Sequence, residues 1–154
     1  MTDDWGSIRQ EAAEVLLAEG VVIDGSLHLL SRINYPPGPE TPIEMLNRSD
    51  PFFALTRSGG GVFFIPKAQA AVVTCRHYAP LADPQRFSAA KLVALDVVIV
   101  GGRKLEGRAA IEMPPERSRA LDYVNGPGAF FALWTEDVTH YVNKLLVRTI
   151  RPLD

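Results

Sequence analysis

The chain is poor in the residue types that build most recognisable chemical sites. It has one cysteine, Cys75, in 154 residues, which excludes an intramolecular disulfide and any metal site made of thiolates alone. Its three histidines, His28, His77 and His140, are scattered, and none stands with a carboxylate, a histidine or Cys75 at metal-ligand spacing. Net charge is only −2, and the lack of a basic stripe weighs against nucleic acid as the main partner. No uncharged apolar run approaches the roughly 18 residues that a membrane-spanning helix requires. The opening Met1-Thr2-Asp3-Asp4-Trp5 is acidic, with no basic region ahead of an apolar core, so no secretory signal is expected there. Ser58-Gly59-Gly60-Gly61 lacks the Gly-Lys-Ser/Thr ending of a phosphate loop and opens no helix, so it reads as a hairpin turn. These absences set an expectation of a soluble, cytoplasmic protein with no cofactor or metal, and no enzymatic activity.

What the chain does have is repetition. Leu46-Asn47-Arg48-Ser49-Asp50-Pro51-Phe52-Phe53-Ala54-Leu55 returns as Val124-Asn125-Gly126-Pro127-Gly128-Ala129-Phe130-Phe131-Ala132-Leu133, displaced by 78 residues. At that displacement residues 27–56 and 105–134 agree at 9 of 30 positions, where average usage gives about two. Val21-Val22-Ile23 aligns with Val97-Val98-Ile99 at a displacement of 76, and Ile65-Pro66-Lys67 with Val142-Asn143-Lys144 at 77. Halves of about 55 residues are marginal alone, so they are expected to bury apolar surface on each other or on partners.

Taken in order, Thr2 or Asp3 caps an expected helix to about Ala18, with Trp5, Ile8, Ala12, Val15 and Leu16 on one face. Val21 to Asp24 and Leu27 to Ile33 read as a hairpin about Asp24-Gly25-Ser26. Pro36, Pro37, Pro39 and Pro42 then hold the chain extended. Thr41 as cap and Pro42 at the first position predict one helical turn through Leu46. Strands follow at residues 52–56, 62–65 and 70–75, and the second half is expected to repeat this order. The domain expectation is a helix over 1–19, a first barrel over 20–75, a linker over 76–90 and a second barrel over 91–154.

Five short strands bent by glycines suit a small barrel, which hides strand edges. Val97-Val98-Ile99-Val100-Gly101-Gly102-Arg103-Lys104-Leu105-Glu106-Gly107-Arg108, followed by Asp122 and Asn125, resembles the opening hairpin of Sm-like proteins. The paired Arg-Gly of that family's closing turn has Lys67-Ala68-Gln69 and Lys144-Leu145-Leu146 in its place. Leu46-Asn47-Arg48-x-Asp50-x-Phe52-x-x-Leu55-Thr56 is similar to a signature of short bacterial domains that brings no activity with it. These resemblances imply a mostly β fold: two tandem five-stranded barrels of Sm-like or SH3-like type, each with a short helical insert, behind an N-terminal helix. They also imply an RNA-binding module as an alternative function.

The candidate contact residues follow from the repeat. Asn47 and Asn125 are the polar pair retained in both halves, read first as turn-forming residues. Asn47 with Arg48 and Asp50 is the alternative, a ligand- or partner-facing loop. Phe52-Phe53 and Phe130-Phe131 place one ring on each face of a strand, so one member should be core and the other covered by a contact. Phe53 and Phe131 are the candidate contact rings, with the inner member of each pair left open by the sequence, and Trp5 is the natural anchor of a docking helix. The expected function is protein interaction or self-association, with a protein partner or a homo-oligomer. A small-ligand site between the halves is a further possibility.

Overall fold

The computed structural model describes residues 8–32, 38–76, 91–111 and 119–153. The first half holds β1 (Ile8–Leu17), β2 (Val22–Arg32), β3 (Gly38–Pro39), α1 (Pro42–Asn47), β4 (Phe52–Arg57), β5 (Val62–Pro66) and β6 (Ala70–Arg76). The second holds β7 (Lys91–Ile99), β8 (Lys104–Ile111), α2 (Ala120–Val124), β9 (Phe130–Trp134), β10 (Val138–Asn143) and β11 (Val147–Pro152). α1 forms where its signals lie. Thr41 Oγ1 accepts from Glu44 N–H (3.3 Å), Glu44 Oε1 accepts from Thr41 N–H (2.8 Å), and Pro42 occupies the first turn. The Gly59-Gly60-Gly61 turn between β4 and β5 has φ of 93°, 109° and 89°, a backbone that only glycine adopts freely.

The strands do not close into barrels. They form one open 11-stranded antiparallel sheet in the order β11-β7-β8-β9-β10-β6-β1-β2-β4-β5, with β3 beside β2. This corrects the expectation of two tandem barrels, and the physical reason is β6. Instead of closing its own half, it pairs with β1 on one side and with β10 of the other half on the other.

The N-terminal helix is corrected as well, because residues 8–17 are strand β1. Ala13, Val15 and Leu17 face one core while Leu16 faces the other, an alternation that small apolar residues also satisfy at helical spacing. A short isolated helix is marginal, whereas β1 gains a ladder on both flanks, so tertiary pairing wins. Residues 1–7, including Trp5, lie outside the described residues, as do His77, the prolines at 36, 37, 114 and 115, and linker residues 77–90. The hairpin about Gly25 is corrected too. β2 runs unbroken from Val22 to Arg32, and Gly25 lies inside it opposite Ala13.

The two halves pair their strands alike. Each runs in the order fifth-first-second-third-fourth, and Phe53↔Ile65 of the first half corresponds to Phe131↔Val142 of the second. The ladder of fifth strand on first strand slips at the same place in both, after Leu16/Leu17 and after Val147. In the first hairpin the correspondence is Val15↔Ile23 with Val97↔Leu105, a displacement of 82 and not 76 or 78. Gly107 therefore answers to Gly25, each lying mid-strand.

Two cores result, on opposite faces of the shared central strands. Tyr141 of β10, Val73 of β6 and Val15 of β1 join one core with Leu27, Leu29, Leu46 and Leu55. Their neighbours Val142, Val72 and Leu16 join the other with Leu95, Val97, Ile111 and Leu133. A shared strand that buries both faces reads as continuous apolar sequence, as Ala70 to Val73 does.

Candidate interaction surface

The seam between the halves shows how this protein covers a sheet edge. At the end of α1, Asn47 reaches across to β9. Its Nδ2 donates to Phe130 O (3.3 Å) and its Oδ1 accepts from Phe130 N–H (2.8 Å), so the amide stands in for a missing strand. From the other side Asn143, itself buried, donates through Nδ2 to Lys67 O and Ala70 O (3.0 Å each), and its Oδ1 accepts from Leu145 N–H. Two asparagines thus satisfy backbone groups that would be orphaned where the halves meet.

Arg48 and Asp50 lie beside this seam. Arg48 Nη1 donates to both carboxylate oxygens of buried Glu40 (3.0 and 3.1 Å), and Glu40 Oε1 also accepts from Leu30 N–H (2.9 Å). Arg48 Nε lies 3.3 Å from Asp50 Oδ2, within ion-pair range, but it is buried and not aligned for a hydrogen bond. Lys67 Nζ donates to Met45 O (2.9 Å) and Arg48 O (3.0 Å), capping the end of α1. Burial and then the nearby Arg48 lower the Lys67 pKa, against the raising pull of Asp50 and Glu40. Lys144 does the same work in the second half, donating to Gly126 O (3.0 Å) after α2. The retained lysines are explained as helix-end caps.

Both candidate contact rings, Phe53 and Phe131, are core: Phe53 packs in one core, Phe131 in the other. Phe130 is buried across the seam in the first half's core, whereas its counterpart Phe52 is 53% exposed. The same asymmetry runs along the fourth strands. Thr139 and Tyr141 of β10 are 3% and 5% exposed beneath β6, while the corresponding Val62 and Phe64 of β5 are 51% and 75% exposed. Phe63 is exposed too, with the Arg57 guanidinium 5.3 Å from its ring centroid. At the opposite end of the sheet Asn125 is exposed, and α2 buries no residue although α1 buries Pro42, Met45 and Leu46. The exposed edge aromatics were missed in the sequence, where residues 62–65 read only as a strand.

Other candidates resolve into structure. His28 shares a hydrogen bond with Thr56 (2.6 Å) and His140 with Thr74 (2.8 Å), and burial lowers the His140 pKa. No metal-ligating cluster occurs among the described residues. Cys75 is buried, and burial, with a smaller push from Glu11, drives its thiol pKa up to about 12. It should therefore resist thiol reagents at neutral pH until the chain unfolds, so labelling and unfolding will share one denaturant midpoint. Labelling in native buffer at the rate of a free thiol would contradict this. Between the halves, Glu14, Thr74, Arg103 and His140 line a cleft of about 150 Å³. That is below the roughly 300 Å³ at which small-molecule pockets begin, whereas a more open hollow of about 420 Å³ is lined by Glu14, Asp24, Thr74, Arg76 and Val138. No helix among the described residues is long and apolar enough to cross a membrane. Comparison with family models, curated proteins and solved structures finds no match.

Proposed function

We propose that the protein is a non-enzymatic interaction module whose contact surface is the open β5 edge of its sheet. The observation that carries this reading is the row Val62, Phe63 and Phe64, three exposed apolar side chains on a terminal strand with no charged residue. Proteins usually blunt such edges with lysine, with bulges or by covering them, because free N–H and C=O groups beside apolar side chains template pairing with another chain. Val62 and Phe64 turn their N–H and C=O groups outward. Gly61 O accepts from Arg57 N–H (2.9 Å) on the β4 side, and successive residues alternate. Added strands draw affinity from main-chain hydrogen bonds and selectivity from the side chains beside them.

A photoreactive phenylalanine analogue at position 64 tests the reading in cells, with Glu19, an exposed turn residue away from the edge, as the control position. Protein adducts from position 64 and not from position 19 are expected, and equal yields from both would sink it. Phe64→Lys should meanwhile alter unfolding free energy by less than about 0.5 kcal/mol, the usual size for an exposed site. Chemical denaturation reads that directly.

A further inference from the structure

Resting on that reading, we propose that the strand received by the β5 edge is β11 of a second copy of this chain. The two copies join head to tail as β10 and β6 join within one chain. The sheet ends in the two strands that correspond to the pair already joined at its centre: β5 answers to β10, and β11 to β6. The central register, Thr139↔Cys75, His140↔Thr74, Tyr141↔Val73 and Val142↔Val72, transposes without adjustment. It sets Val62 opposite Pro152, Phe63 opposite Arg151, Phe64 opposite Ile150, and Ile65 opposite Thr149 of the next copy. Phe64 with Ile150 is an aromatic–β-branched cross-strand pair, and Arg151 comes beside the Phe63 ring.

The surroundings transpose as well. Asn125, exposed at the end of α2, takes the place of Asn47, and exposed Phe52 takes the place of Phe130. Phe52, Val62 and Phe64, bare at the sheet end, are thus the counterparts of Phe130, Thr139 and Tyr141, which are buried at the seam.

The outer junction is weaker than the inner one. Leu153 N–H donates to Ala94 O (3.0 Å), so alternation turns the Pro152 nitrogen, which has no hydrogen, to the open edge. Pro66 stands where Asn143 donates to two carbonyls. The contact is therefore reversible on dilution. Because it joins two different edges, each added copy leaves one of each free, and the assembly grows or closes into a ring.

The test uses full-length chains carrying Phe63→Cys or Arg151→Cys. The main chains of the matching inner pair, His140 and Thr74, exchange no hydrogen bonds across the ladder, the position that brings Cα atoms to about 4.5 Å and within disulfide reach. Buried Cys75 does not compete. Mild oxidation of the mixture should yield a disulfide-linked heterodimer, with little product from either variant alone. Sedimentation of the unmodified chain should show mass rising with concentration, and Phe64→Lys should abolish the rise. A Phe63→Cys homodimer, or a monomer at every concentration with no mixed disulfide, overturns the head-to-tail proposal. Position-64 adducts to a different protein alongside such a monomer would overturn self-assembly while leaving the interaction reading intact. Loss of both would end the two together.

Discussion

Gly25→Ala should lower the unfolding free energy by about 3 kcal/mol or more, a backbone clash that neighbouring side chains cannot relieve. A Cβ at Gly25 would overlap Thr56 O and lie 2.9 Å from Thr56 C, and both atoms belong to β4. β4 would have to withdraw from β2, breaking the Ser26↔Thr56 and Leu27↔Leu55 pairings that hold the first core's edge. Gly107→Ala should behave alike, at about 2–3 kcal/mol, since its Cβ would meet Trp134 O at 2.5 Å and Leu133 Cγ at 2.9 Å. A useful contrast is Gly20→Ala, which has open space but a φ of +103°, and should cost about 1 kcal/mol of backbone strain alone. Urea unfolding followed by circular dichroism ranks the three. If Gly25→Ala and Gly107→Ala cost no more than Gly20→Ala, the close approach of the strands is wrong.

Asn47→Ala should cost about 3 kcal/mol, because it leaves both Phe130 N–H and Phe130 C=O without their partners at a partly buried seam. Asn125→Ala, at the matching exposed position, should cost less than about 0.5 kcal/mol in the monomer. Asn47→Asp keeps the acceptor for Phe130 N–H and loses the donor to Phe130 O, so it should fall between. Hydrogen exchange at the Phe130 amide gives a second readout, with faster exchange in Asn47→Ala than in Asn125→Ala. Equal destabilisation by the two alanines would remove Asn47 from the seam.

Sequence patterns located most strands and α1 because these depend on neighbours: Thr41 and Pro42 cap a turn wherever they lie, and Val62 to Ile65 is apolar and β-prone in any context. The recurrence of Asn47-x-x-x-x-Phe52-Phe53-Ala54-Leu55 likewise marked the parts of each half that answer to one another. Residues 8–17 were misread because Ala12, Val15 and Leu16 satisfy helical spacing while Ala13, Val15 and Leu17 satisfy strand spacing, and only the flanking β2 and β6 break the tie. Gly25 was misread for a related reason. A glycine demanded by the carbonyl of a strand thirty residues away looks, locally, like one demanded by a turn.

The candidate surface was less legible than the fold. That Phe53 and Phe131 are core, while Phe52 and Phe64 are bare, depends on which strands end the sheet, and strand order is a long-range property. By itself the sequence determined that this is a mostly β chain, because alternation and turn residues are short-range signals. Only the tertiary structure decided that the halves share one open sheet. The direction in which β6 offers its free N–H and C=O groups, to its own half's β5 or across to β10, is set by how the strands meet in space.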